Sequence, residues 1–103
     1  MDQVGTSKVF ENDRILIWEL VLESGERTPR HTHRHDYVFY ILEGSTDAPL
    51  SSFDLGAGDI FAFKCEEREL VSTDGKGLRF PVTHSARNTG PSRYREILVE
   101  MKK

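Results

Sequence analysis

Residues 14–23 read R-I-L-I-W-E-L-V-L-E, and Trp18, Leu20 and Leu22 alternate there with Glu19, Val21 and Glu23. A period of two sends alternate side chains to opposite faces, so this stretch predicts a strand. It ends at S-G-E, a turn signal. Residues 38–42, V-F-Y-I-L, are β-branched and aromatic and predict a second strand that stops before Gly44. Shorter strands are expected at residues 51–55, 59–65, 69–73, 78–84 and 93–101, separated by G-A-G-D, D-G-K-G and N-T-G-P-S. The D-G-K-G stretch reads as a hairpin loop. No segment of ten residues keeps a helical apolar period. Many short strands with Gly-rich turns predict an all-β sandwich or barrel.

Length and charge narrow the picture. The 103 residues, without internal repeat or linker, are expected to form one domain, 1–103. Such a chain buries roughly 60–70% of its unfolded surface and has little apolar area to spare. Fourteen Lys and Arg against seventeen Asp and Glu give a net charge of −3, with a pI near 5.8. That balance argues against nucleic acid or an anionic membrane as partner. The start, M-D-Q-V-G-T-S-K, lacks a charged-then-apolar signal pattern, and the most apolar run, residues 15–22, is interrupted by Glu19 and too short for a span. A cytoplasmic location is expected. A single cysteine, Cys65, excludes an internal disulfide and a zinc site of paired cysteines, so a metal must use His and oxygen ligands.

Three of the four histidines, His31, His33 and His35, occupy every second position of R-H-T-H-R-H, and the fourth, His84, lies far along the chain. On a strand His31 and His33 share a face, and two neutral imidazoles so placed bind one divalent ion if another ligand arrives from elsewhere. His84 is the candidate for that ligand. The alternative is that histidines in an Arg-rich turn are simply solvated, and spacing alone leaves both readings open.

Gly25, five residues, His31-x-His33, three residues, Tyr37, six residues and Gly44 resemble the first cupin motif, G-x5-H-x-H-x3/4-E-x6-G, with tyrosine in place of glutamate. His84-Ser-Ala-Arg-Asn88, then T-G and the strand-like R-E-I-L-V-E-M, resembles the end of the second motif, although P-x-G is absent before the histidine. G-A-G-D at 56–59 is similar to the turn that usually lies between the motifs. The resemblance runs from about residue 14 to 101. It implies an all-β double-stranded β-helix, a jelly-roll barrel, with a metal at its mouth on His31, His33 and His84. Iron, manganese, nickel and zinc all suit such a site. The H-x-H-x2-D-Y form is similar to small cupins associated with degradation of β-amino acids such as β-alanine.

Around this centre further roles are expected. Tyr37 shares the parity of the histidines, and a neutral phenol suits a hydrogen-bond donor or catalytic acid/base better than a metal ligand. Asp36 has a ligand's charge but the wrong parity on a regular strand, and reaches the site only through a bulge. His35, Asp36 and Asn88 are candidates for the layer behind the ligands, with His35 otherwise in solvent and Asn88 otherwise a turn residue. Arg79, in L-R-F-P-V-T-H, is the best placed arginine for clamping a carboxylate. Phe39 is a candidate for the pocket wall. The resemblance implies metal-dependent chemistry of oxygenase, isomerase or lyase type on a small anionic or oxygenated molecule. The rivals are a non-catalytic cupin that binds a small ligand, with or without metal, and a vestigial site. A homodimer is expected, to which residues 1–13, containing K-V-F-E, would add a strand.

Overall fold

The computed structural model describes residues 4–47, 54–56, 58 and 60–102. Among them the chain forms β1 (Ser7–Glu11), β2 (Ile15–Leu22), β3 (His31–Thr32), β4 (Asp36–Glu43), β5 (Ser45–Asp47), β6 (Asp54–Gly56), β7 (Ile60–Cys65), β8 (Glu69–Ser72), β9 (Arg79–Pro81), β10 (Thr83–His84) and β11 (Tyr94–Met101). No helix among the described residues is long and apolar enough to cross a membrane.

Seven strands make one antiparallel sheet in the order β1-β2-β11-β4-β7-β8-β9, and β3–β10 and β5–β6 form two separate pairs. The alternation in β2 is obeyed residue by residue: Leu16, Trp18, Leu20 and Leu22 are buried and their neighbours only partly so. They pack with Ile41, Phe61, Phe63, Leu70 and Leu98 on one face of the sheet. The last strand, β11, lies between β2 and β4. The two strongest strand signals thus become neighbours of the same C-terminal strand.

One expectation is corrected. Residues 78–84 are not one strand: β9 stays in the large sheet, and after Pro81 the chain turns so that β10 pairs with β3 instead. Pro81 has no amide to continue the ladder, and Val82 donates to the Arg68 carbonyl at 3.1 Å as the chain leaves. The K-V-F-E segment forms β1, hydrogen-bonded to β2 of its own chain with a bulge between Lys8 and Phe10. It is an edge strand of the sheet. Residues 51–53, together with Ala57 and Asp59 of the G-A-G-D turn, lie outside the described residues.

The motif glycines have backbone reasons. Gly25 turns with φ +86°, and Gly44 with φ +97°. At Gly44 a Cβ would also sit 2.5 Å from the Arg93 carbonyl oxygen, so no side chain fits.

Candidate metal centre

The site is built by zipping residues 25–33 against 82–88. Gly25 and Asn88 each donate an amide across this seam, to Asn88 O at 2.9 Å and Glu26 O at 2.8 Å, and Thr28 donates to Ala86 O at 2.8 Å. At the far end β3 and β10 set His84 directly opposite His31, and the His33 amide donates to Val82 O at 2.8 Å. Residues far apart in sequence are thereby locked in register. The ring centroids of His31, His33 and His84 lie 4.9, 5.0 and 4.8 Å apart, and one nitrogen from each lies within 4.8 Å of the others.

Hydrogen bonds fix the ring orientation of two of them. His31 Nδ1 meets the Pro29 carbonyl at 2.9 Å and His84 Nδ1 meets the Pro81 carbonyl at 2.8 Å. A carbonyl only accepts, so both Nδ1 atoms carry a hydrogen, and in the neutral form of either ring Nε2 is the atom with the free lone pair. His33 is buried, and its Nδ1 has no hydrogen-bond partner. Burial, then the two neighbouring imidazoles, push the His33 pKa down to about 2, and burial lowers that of His84. Two imidazoles whose Nδ1 atoms are already held by carbonyls and a third with an orphaned buried ring nitrogen fit a divalent ion.

The cluster lines one cavity of about 110 Å³, whose other walls include Phe39, Phe61, Phe63, Leu98 and Glu96. That volume holds only a small molecule.

A search of solved structures finds a cupin domain from Bordetella pertussis Tohama I, with a TM-score of 0.62 over 100% of this chain and 99% of that one at 20% identity. The chain has the cupin fold. An RmlC-like cupin protein with a double-stranded β-helix fold from Methanocaldococcus jannaschii matches with a TM-score of 0.60 over 98% of this chain and 85% of that one, at 15% identity. The DMSP lyase DddQ from Ruegeria pomeroyi DSS-3 matches with a TM-score of 0.57 over 89% of this chain at 17% identity, and the match covers 40% of that protein. No protein-family profile matches the sequence, and neither does any curated protein.

At the position of the cupin glutamate, Tyr37 is buried and its ring stacks on His33. Its pKa is raised well above the ordinary value, first by burial and then by Glu96, Cys65 and Glu100. It therefore stays a phenol. Phe39 lines the cavity, stacked on Phe61 at 5.0 Å. Asp36 points elsewhere: its Oδ1 accepts the Cys65 amide at 2.8 Å. His35, half-buried, does not line the cavity. Asn88 does, but it is spent on the turn, donating to Leu22 O and Ser92 O and accepting from Gly90. Arg79 is an exposed β9 residue, paired with Glu69 at 2.7 Å, and the cavity's arginine is Arg87 instead.

Sequence reasoning missed Glu96 and Glu100, both buried on β11. The signal was their shared parity with Tyr94 and Leu98. It was masked because the opposite parity, Ile97 and Val99, is apolar too, so periodicity alone does not say which face of β11 turns inward.

Proposed function

We propose that this chain is a metal-binding cupin that carries out metal-dependent chemistry on a small anionic or oxygenated organic molecule. The observation that carries the reading is the convergence of His31, His33 and His84, two of them oriented by carbonyls and one with an orphaned nitrogen. A divalent ion held there supplies Lewis acidity when bound. Three neutral donors would leave its charge uncompensated, which favours an oxyanionic ligand. Phe39, Phe61 and Phe63 give that ligand an apolar wall, and Tyr37 offers a protonated hydroxyl beside it. Oxygenase, isomerase and lyase chemistry all suit this arrangement; the fold likeness to a lyase adds weight to the last. The second reading, a non-catalytic binder of a small ligand, is favoured by the loss of the motif glutamate to Tyr37.

Elemental mass spectrometry on protein without a polyhistidine tag tests the centre. Near-stoichiometric iron, manganese, nickel or zinc is expected in the parent, with loss in His33→Ala and His84→Ala. A parent that takes up none of these ions overturns the reading. A screen of small carboxylates for turnover by the loaded protein then separates enzyme from binder.

We further infer a homodimer in the cytoplasm. The outer face of the large sheet carries an apolar band, with Ile97, Tyr40 and Ile60 in one cross-strand row and Ile17, Val99, Val38 and Ala62 in the next. Tyr40 and Ile60 are exposed at 42% and 55%, as a surface awaiting a second copy would be. The free edge of β1 stands ready to add a partner strand.

A further inference from the structure

The inward face of β11 carries two buried carboxyl groups, each accepting one side-chain hydrogen bond, and only one of them lines the cavity. Glu100 accepts the Trp18 indole N–H at 2.8 Å, and it is not a wall of the cavity. Its burial serves that bond. Glu96 is opposed by Leu20 of β2 and Ile41 of β4, is 6% exposed, and lines the same cavity as the three histidines. Tyr94 donates its hydroxyl to Glu96 Oε1, and among the described residues no group hydrogen-bonds the other oxygen. A carboxyl group in the middle of a sheet, between two aliphatic side chains and without a cation, destabilises the fold relative to an aliphatic residue. Such groups persist where something binds to them.

We propose that Glu96 is a substrate-binding residue that hydrogen-bonds a hydroxyl group of a small hydroxy acid whose carboxylate lies at the three histidines. The inference rests on the metal-centre reading given above and extends it to the substrate class. Its elements are the two polar ends of one cavity and the aromatic wall between them, Phe39, Phe61 and Phe63. Tyr37 links the ends: its ring stacks on His33, while the charge of Glu96 contributes to holding its phenol protonated. A hydroxyl is selected over other groups because it both accepts and donates, and so pairs with this cavity-lining carboxyl group in either protonation state. Burial raises the Glu96 pKa to about 7, so protonated and ionised forms coexist near neutral pH. A hydroxyl accepts from the first and donates to the second; an ammonium group suits only the ionised form, and a second carboxylate is repelled by it.

The test is calorimetric titration of the metal-loaded protein with straight-chain alkanoates of three to six carbons and with ω-hydroxyalkanoates of the same lengths. For at least one length the parent is expected to bind the hydroxy acid about tenfold more tightly than its alkanoate, the effect of one hydrogen bond made to a buried polar group. Glu96→Leu closes that gap. Glu96→Gln, an isostere that Tyr94 still reaches, keeps part of the gap and serves if the leucine variant fails to fold. A loaded parent that binds the two series equally, or binds neither, overturns the role of Glu96 alone, as does a gap that survives in both variants. A parent that takes up no metal overturns this inference together with the metal centre.

Discussion

The ring of Tyr37 lies on the ring of His33 with 4.4 Å between centroids and 16° between planes. Where the cupin motif has a carboxylate, this chain has a flat, neutral surface against the His33 imidazole. In the proposed centre this position would support the histidine rather than join it. Tyr37→Phe is therefore expected to leave metal content unchanged, because the stack survives and no donor is lost. Tyr37→Ala removes the stack and leaves a cavity at about 3–5 kcal/mol, visible in chemical denaturation. Loss of metal in the phenylalanine variant would show that the phenol is itself a ligand.

Glu96 sets a pH dependence of known sign. Its carboxyl pKa rises from 4.5 to about 7 on folding, so the folded state holds a proton that the unfolded state has already released. Stability from this group is complete below pH 4.5 and falls as pH rises to about 7, by about 3 kcal/mol in all. Denaturation midpoints of Glu96→Gln against the parent at pH 5 and pH 8 measure it. The variant should gain on the parent at the higher pH, and an equal difference at both pH values would count against a buried, partly protonated Glu96.

His33 works in the opposite direction in the metal-free protein. Its folded pKa is depressed to about 2 from an ordinary 6.5, so the unfolded state binds the proton first. The stability is complete above pH 6.5 and declines as pH falls toward 2. Replacing His33 with Phe, which cannot titrate, should flatten the acid limb of a stability-versus-pH curve. An unchanged limb would assign acid sensitivity to other groups.

Asn88 is wholly buried and makes three hydrogen bonds that need both a donor and an acceptor end, to Leu22 O, Ser92 O and from the Gly90 amide. Asn88→Asp keeps the size but not the two donated hydrogens, leaving two carbonyls facing a carboxylate. It is expected to destabilise by about 2–4 kcal/mol, as much as Asn88→Ala. Since this turn holds the seam that aligns His84 with His31, metal affinity should fall with it.

The outer band predicts that Tyr40→Glu or Ile60→Lys yields a folded monomer, with light scattering reporting the mass. Charge on that face is incompatible with an apolar interface but harmless to a solvated sheet. A parent that is already monomeric at working concentration removes the dimer.

Much of this arrangement was legible in the residues themselves. Strict alternation identified β2 as a one-sided strand, the β-branched and aromatic run identified β4, and the glycines at 25 and 44 marked turns that the backbone indeed takes with positive φ. The histidine spacing, read with the motif resemblance, singled out the three imidazoles that converge. These are local properties: side-chain periodicity and backbone freedom act within a few residues. What the chain did not disclose depends on partners brought from afar. Only the seam between residues 25–33 and 82–88 decides that His84 faces His31, and only the Pro81 corner sends β10 away from β9 to make that possible. Arg79 lay in the right stretch yet points to Glu69, because β9 ends before the corner. The inward face of β11, and with it the buried Glu96, was undetermined because both faces of that strand carry apolar residues. Insertion between β2 and β4 is a tertiary event, and it alone chose which face meets the cavity.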